Sequence, residues 1–328
     1  AFKEICASYA PAMESFSIDE VFLDMTGTHL IYPDPVAVAH EIKDKIRDEL
    51  GFTVNVGIGT NKLLAKMASD FEKPDKVHTL FPPEIPKKMW PLPVRDLLFL
   101  GKASEQRLLQ EGIKTIGDMA RSGEAELKRI LGEKAGHQLY RYANGIDDSP
   151  VRAEREEAKG YSAETTVEED LVTYEQALAL LLAQCDVVAA RMRRDGKKCS
   201  CVAVTYRTLD FKTRSHQRAF EDPTDVTDEI FAQVKKLLYE CWKCEPLRLI
   251  GMALTDLTTD DFRQISLFEN PDEREKQKKA DEAFDDIRRR FGNGMIVRGS
   301  TMSTAGKVAR KAKAQMDQDV RIKKEKEK

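Results

Sequence analysis

Two pairs of charged residues in the first part of the chain have the types that phosphate chemistry needs. Asp19 and Glu20 are adjacent carboxylates within the largely apolar stretch 16–25, and Lys62 and Lys66 follow four residues apart. Carboxylates bind divalent metal ions and lysine binds phosphate, so together they predict phosphoryl or nucleotidyl transfer. Taken alone, the carboxylates are equally typical of a turn, and the lysines of a solvated helix face.

The surrounding pattern predicts the elements that position these residues. Apolar runs on both sides of Asp19 predict two strands that meet at an acidic hairpin. A helix over about 35–50 ends at Gly51, and the alternation over 54–59 predicts a further strand. Asn61 then caps a helix that carries both lysines. The predicted order is therefore strand, strand, helix, strand, helix.

The rest of the chain changes character several times, which predicts a multidomain α+β protein. We expect a first domain over 1–80, a helical domain over 81–150 that begins in a proline-rich boundary, and a polar linker over 151–160. A βαββαβ pattern, typical of a ferredoxin-like domain, covers 161–258. A charged, helical extension occupies 259–328.

Composition limits the class of protein. The chain has 328 residues, of which 33% are charged, and no apolar run approaches the ~20 residues needed to cross a membrane. With no signal segment at its start, we expect a cytoplasmic monomer without a membrane partner. The six cysteines are then reduced thiols, in preference to a zinc site at 199, 201, 241 and 244.

Charge is unevenly distributed along the chain. The formal net charge is −3, yet between residues 191 and 218 many lysines and arginines are opposed only by Asp195 and Asp210. A local basic stretch on alternating strands is typical of a surface that follows a phosphate backbone. The alternative is a solvated face.

Three motifs resemble one known family. Residues 17–24, SIDEVFLD, resemble the acidic hairpin of the Y-family of translesion DNA polymerases. VGIG at 56–59 and NKLLAKMASD at 61–70 resemble the strand and helix that follow it in bacterial members of the DinB type. The resemblance implies that Asp19 and Glu20 are palm carboxylates of a magnesium site and that Lys66 contacts the triphosphate of an incoming deoxynucleotide.

The resemblance also implies a palm that starts with another metal-binding aspartate and continues into fingers. Neither is found ahead of Asp19, so residues 1–80 are expected to form a partial ferredoxin-like palm, and we expect this chain not to polymerise DNA by itself. Two alternatives stay open: a non-catalytic module that binds DNA and the sliding clamp, and a polymerase subunit of the UmuC type.

The later segments resemble the other domains of the same family. Gly101-Lys102, followed by residues 112–118, resembles the helix-hairpin-helix of the thumb, which implies contacts to a primer-template phosphate, although Phe99 stands where the family usually has glycine. An ordinary helical pair is the alternative. Residues 161–258 resemble the little finger. The candidates for contacts to the DNA backbone in this domain are Arg207, Lys212, Arg214 and Arg218.

Residues 264–268, QISLF, are similar to the peptide by which bacterial polymerases bind the sliding clamp. The resemblance implies that Gln264, Leu267 and Phe268 are the clamp-binding residues. Leu267 and Phe268 are apolar anchors of the kind that fit a partner's groove. A helix with an apolar face at 284, 287 and 291 follows, and it is also consistent with packing against the little finger.

Overall fold

The structure, a computed structural model, describes residues 1–153, 157–260, 271–292 and 295–299. The chain divides into two compact units, residues 1–155 and 156–328. Helices and strands occur in both units, which confirms the predicted α+β multidomain class. The finer domain bounds stay a prediction.

The first part of the first unit contains short strands and three helices. These elements are α1 (Phe2–Ala7), β1 (Ala12–Ser15), β2 (Val21–Asp24), α2 (Pro35–Leu50), β3 (Val56–Gly59), α3 (Lys62–Ser69) and β4 (Val77–Leu80). Strands β1 and β2 form an antiparallel hairpin, whereas β3 and β4 pair in parallel. The described strands of the predicted ferredoxin-like palm therefore form two separate pairs, and α1 and β4 were not predicted.

Helix α2 packs under the hairpin. The Asp34 carboxylate accepts hydrogen bonds from Val36 N and Ala37 N, and Gly51 ends the helix with φ 74°. Its buried face, with Ile42 and Ile46 at the centre, forms a core with α1 and with the inner side of β1 and β2. The outer side of the hairpin carries Glu14, Phe22 and Asp24.

Two glycines bring α3 against β3. A Cβ atom at Gly57 would lie 2.0 Å from Ala65 O, and one at Gly59 would lie 2.7 Å from Ala65 N. Because neither glycine has a side chain, the helix backbone rests directly on the strand. The Asn61 side chain accepts a hydrogen bond from Leu64 N at 2.9 Å and so begins the helix that carries both lysines.

The second part of the first unit is helical. Its helices are α4 (Ile85–Lys88), α5 (Lys102–Gln110), α6 (Ile116–Ser122), α7 (Glu124–Leu131) and α8 (Glu133–Ala143), with 3₁₀ turns at Pro82–Glu84 and Val94–Asp96. Leu108, Ile116 and Leu127 share one hydrophobic core with Leu63 and Leu64 of α3. Helix α3 is therefore held by this region as well as by β3.

The second unit has the predicted βαββαβ order. Its elements are β5 (Gly160–Leu171), α9 (Tyr174–Arg194), β6 (Lys198–Thr208), β7 (Thr213–Thr224), α10 (Thr227–Cys241), β8 (Leu247–Thr258) and α11 (Pro271–Phe291). The antiparallel sheet has the strand order β5-β8-β6-β7. Val204, Tyr206 and Met252 on one face pack against α9 and α10, which leaves the opposite face free of helices from this core.

Helix α11 follows that domain and is docked on it. Arg193 of α9 lies 2.7 Å from Asp285 and 3.3 Å from Asp281, and the Asp281 carboxylate also accepts a hydrogen bond from Thr227 N. The predicted apolar face contributes less, since the Phe291 side chain is 66% exposed. The helix packs on the domain mainly through ion pairs, which agrees with the alternative that its sequence left open.

Candidate functional site

The two predicted carboxylates lie in the turn between β1 and β2. Phe16 N and Ser17 N both donate to Glu20 O, at 3.0 and 3.2 Å, and close the turn. The Ser17 hydroxyl donates to the Asp19 carboxylate at 2.6 Å, which fixes this side chain at the tip. The hairpin therefore presents two adjacent carboxylates from a rigid backbone.

Lys66 of α3 reaches the hairpin. Its Nζ lies 2.6 Å from Glu20 Oε1 and 2.8 Å from Asp70 Oδ2. Burial opposes the charge, but the hydrogen bonds to Asp70 and Glu20 outweigh it and raise the pKa of Lys66. The structure therefore brings together Glu20 and Lys66, which the sequence assigns to metal and to triphosphate.

Lys62 occupies a different position from Lys66, although both lie on one helix face. Its Nζ lies 2.9 Å from Glu14 Oε2 and 5.6 Å from the centre of the Phe22 ring. Glu14 also accepts a hydrogen bond from Arg152 N at 2.8 Å. Burial raises the pKa of Glu14, but the Arg152 amide and Lys62 lower it overall. Sequence reasoning missed Glu14, whose only signal is its place on the outer side of β1.

The donor set of the hairpin suits a hard divalent cation. Carboxylate oxygens are ligands that Mg²⁺ accepts, and this ion is commonly held by one or two carboxylates together with phosphate oxygens and water. Over the described residues, no cluster of three histidine, cysteine or acidic side chains could hold a metal by itself. Asp24 is engaged locally, because its carboxylate accepts a hydrogen bond from Thr26 N at 2.9 Å. Asp19 and Glu20 therefore fit a metal that is shared with a bound triphosphate.

The turn before α5 has the backbone conformation expected with glycine, although Phe99 stands at that position. Phe99 adopts φ 65°, the left-handed conformation that glycine prefers. A Cβ atom at Gly101 would meet nothing within 4 Å, and α5 begins after it without a side-chain cap. Lys102 is exposed beside these amides. The arrangement can accept a phosphate at the helix start, because the first amides of α5 have no side-chain cap and Lys102 is exposed.

The basic stretch does not form one surface. Arg207 alternates with the core residue Tyr206 and therefore lies on the open face of the sheet, where its Nε donates to Thr213 Oγ1 at 2.8 Å. Arg214 and Arg218 lie on the opposite side of β7 and pair with Glu245 and Glu240.

Two other members of that stretch also differ from the simple picture of a basic surface. Lys212 is exposed in the turn between β6 and β7 and lies 2.7 Å from Asp210. The side chain of Arg193 is only 9% exposed and forms an ion pair with Asp281 of α11. Arg207 has no carboxylate partner among the described residues, and Lys212, although paired with Asp210, has a side chain that is 74% exposed. Both are therefore better placed for an external phosphate than the arginines of β7, which are paired and less exposed than Lys212.

The predicted clamp-binding residues Gln264, Leu267 and Phe268 lie outside the described residues. All six cysteines are free thiols. In the parts of the chain that the structure describes, no helix has the length and apolar character needed to span a membrane.

Comparisons with known protein families cover most of the chain. Residues 1–70 match the impB/mucB/samB family, and residues 158–267 match the C-terminal domain of the same family. Residues 95–147 match the thumb domain of DNA polymerase-iota. The matched segments include the acidic hairpin, the turn before α5 and the sheet of the second unit.

Individual relatives agree with these matches. The chain is 40% identical to a DNA polymerase IV of Clostridium acetobutylicum, over 88% of this chain and 72% of the relative. It is 36% identical to that of Pelotomaculum thermopropionicum, over 92% and 75% of the two chains. DNA polymerase IV 2 of Bacillus subtilis is 32% identical, over 94% and 76%.

A solved Y-family DNA polymerase chimera has the same fold, with a TM-score of 0.66 over 79% of this chain and 75% of the other, at 22% identity. The curated relatives are aligned over more than two thirds of their length and are named for template-directed DNA synthesis. The chain therefore belongs to the Y-family DNA polymerases of the DNA polymerase IV type, the translesion enzymes.

Proposed function

We propose that Asp19, Glu20 and Lys66 form the nucleotidyl-transfer site of this polymerase. The main support for the proposal is the 2.6 Å contact between Lys66 Nζ and Glu20 Oε1. A carboxylate of the kind that binds metal ions lies there beside an ammonium group of the kind that binds phosphate. Asp19 and Glu20 would hold Mg²⁺ together with triphosphate oxygens. The ion, when bound, neutralises the charge of the reacting phosphates.

Lys66 supplies the protein's own cation in this proposal. Its raised pKa keeps the ammonium group charged at neutral pH. A deoxynucleoside triphosphate carries more negative charge than Glu20 or Asp70, so it can draw Lys66 away from them. Lys62 stays with Glu14, which also accepts a hydrogen bond from Arg152 N, and it holds the hairpin against α3.

DNA binding is proposed to use two separate phosphate contacts. The first is the turn that carries Gly101 and Lys102, where helix amides face open space. The second is the sheet of the second unit, with Arg207 and Lys212 as the leading contacts and Arg214 and Arg218 as secondary ones. Contacts of this kind are independent of base sequence, as a monomer that copies damaged templates requires.

The segment with Gln264, Leu267 and Phe268 is proposed to bind the bacterial sliding clamp as an extended peptide. Its support is the similarity of the five residues and their place after the sheet of the second unit. Replacement of Leu267 and Phe268 by alanine should abolish binding to the clamp in a fluorescence polarisation titration. Unchanged affinity of this double variant would contradict the assignment.

The site is tested by nucleotide binding as well as by primer extension. Calorimetric titration of a deoxynucleoside triphosphate should show affinity that depends on Mg²⁺ in the wild type. Asp19→Asn and Glu20→Gln should remove the dependence of this affinity on Mg²⁺. Lys66→Met should lower the affinity for the triphosphate at every Mg²⁺ concentration. Equal affinities in all four proteins would reject the site.

The alternative is a module that binds DNA and the clamp without catalysis. It is favoured by the small number of acidic ligands, since the described residues contain no group of three acidic, histidine or cysteine side chains that could hold a metal. Primer extension by this chain would exclude the alternative. Salt-sensitive DNA binding without extension or triphosphate binding would support it.

A further inference from the structure

Phe99 combines a strained backbone with an exposed ring. The turn is closed by a hydrogen bond from Leu100 N to Leu97 O, and Phe99 within it has φ 65°. That conformation is sterically unfavourable for a bulky side chain. Its side chain is 62% exposed, so burial does little to offset the strain. A glycine would fit the same turn without strain, which points to a use for the ring itself.

The ring of Phe99 is part of a row of aromatic side chains, which we call the aromatic row. Its centre lies 6.2 Å from that of Phe16 beside the acidic hairpin and 6.3 Å from that of Tyr142 in α8. The planes are inclined to each other at 63° and 39°, so part of each ring face stays open. Phe16 is itself 38% exposed.

The charge beside the aromatic row changes from Phe16 to Phe99. The carboxylates of Asp19 and Glu20 follow Phe16 in the hairpin. Phe99, in the middle of the row, is followed after one residue by Gly101 and Lys102, and Lys102 makes no ion pair with any described residue. A strand of duplex DNA has matching chemistry, since its phosphates suit Lys102 and the helix amides, while its deoxyriboses stay accessible after base pairing and suit aromatic faces.

We propose that the aromatic row contacts the deoxyriboses of the primer strand between the hairpin and the start of α5. The proposal rests on the proposed function, because it places the reactive end of the primer at Asp19 and Glu20. Contact with a sugar tolerates any base sequence, which suits a polymerase that must accept every primer. Phe99 is therefore a DNA-binding residue in addition to the phosphate contacts of its turn.

The test is a titration of primer-template DNA at several salt concentrations, in EDTA and without nucleotides. Phe99→Gly should bind about fivefold more weakly than the wild type, as loss of the apolar contact between one ring and a deoxyribose predicts. The slope of log affinity against log salt should be unchanged, because no charge is lost. Lys102→Ala should instead lower that slope by about one.

Matched variants separate the ring from the fold. Phe99→Tyr should keep the affinity of the wild type, and Leu109→Ala, which removes an exposed apolar side chain at the other end of α5, should do the same. Phe99→Gly should unfold at an unchanged or higher temperature, because glycine relieves the strained turn.

Three results would overturn the proposal: wild-type affinity of Phe99→Gly, a lower salt slope in that variant, or a clear loss of its thermal stability. The last would show that the ring serves internal packing. Failure of the metal and triphosphate site would show differently, because Asp19→Asn would then keep the wild type's response to Mg²⁺ with nucleotide, while Phe99→Gly would still bind DNA more weakly than the wild type in EDTA.

Discussion

Arg288 of α11 lies 3.1 Å from Asp186 of α9, and both side chains are less than a tenth exposed. Asp186 also lies 2.9 Å from Arg298, beyond the end of α11. One buried carboxylate thus holds two arginines that follow the sheet of the second unit. Because a buried charge is costly without its partner, this cluster makes α11 part of the domain's stability.

Asp186→Ala should therefore destabilise the second unit by about 3 kcal/mol, since it leaves Arg288 and Arg298 without their common partner. Urea unfolding followed by far-ultraviolet circular dichroism measures the change. Asp210→Ala is the matched control, because it breaks the exposed pair with Lys212 and should leave the transition unchanged. Equal midpoints for Asp186→Ala and the wild type would mean that α11 contributes little to the domain.

Gly57→Ala should destabilise the first unit by about 3 kcal/mol, because its Cβ would lie 2.0 Å from Ala65 O and 2.4 Å from Ser69 N. Gly101→Ala adds a methyl group to open space and should change stability by no more than about 0.5 kcal/mol. Thermal unfolding of both variants measures the contrast. A stable Gly57→Ala protein would show that α3 can move away from β3 without cost.

The Asp118 carboxylate makes the first unit sensitive to acid. Amide and hydroxyl hydrogen bonds from Thr115 lower the pKa of Asp118 to about 2. A lowered folded-state pKa contributes stability that is present above the ordinary value of 3.8 and is lost as pH falls through about 2. The side chain is 36% exposed, so solvent screening limits this contribution to about 1 kcal/mol.

Asp118→Ala should remove that contribution at neutral pH and flatten the fall in stability between pH 4 and pH 2, which is the interval set by the two pKa values. Thermal unfolding at a series of pH values measures both effects. A variant that loses stability in acid as steeply as the wild type would show that the hydrogen bonds from Thr115 do not lower the pKa of Asp118.

Arg207→Ala should lower the salt slope of DNA binding by about one, because this side chain lies on the open face without a carboxylate partner among the described residues. Arg218→Ala should lower it less, since Glu240 at 2.6 Å already neutralises that arginine. Titrations at several salt concentrations compare the two variants. A larger effect at Arg218 would show that the paired arginines of β7 carry the contact instead.

Local patterns predicted much of this fold. Asn61 caps α3, and Leu63 and Leu64 after it lie in the core, as predicted. These features were predictable because a cap and an apolar stripe depend only on residues within one or two helical turns. Strand β4 was missed since its four residues depend on parallel pairing with β3. Helix α1 was also not predicted.

Contacts between distant parts of the chain were beyond reach of pattern alone. Arg193 was included in a basic surface, yet it is buried against Asp281 and Asp285 of α11, which composition cannot foresee. Glu14 was not singled out, although its carboxylate accepts hydrogen bonds from both Lys62 Nζ and Arg152 N. The pairing of Lys66 with Glu20 likewise became visible only in three dimensions, because it depends on how close α3 approaches the hairpin.

The pairing of Lys66 also sets a threshold for ligands. Glu20 and Asp70 are internal competitors for its ammonium group, and each lies within 2.8 Å of it. A ligand of the proposed site must attract Lys66 more strongly than these carboxylates do. Its apparent affinity is therefore lower than its intrinsic affinity, because Lys66 is available only in the fraction of molecules in which it is released from Glu20 and Asp70. Nucleosides and nucleoside monophosphates should be excluded from the proposed site more strongly than nucleoside triphosphates. The resting ion pair would then act as a filter that selects ligands by charge.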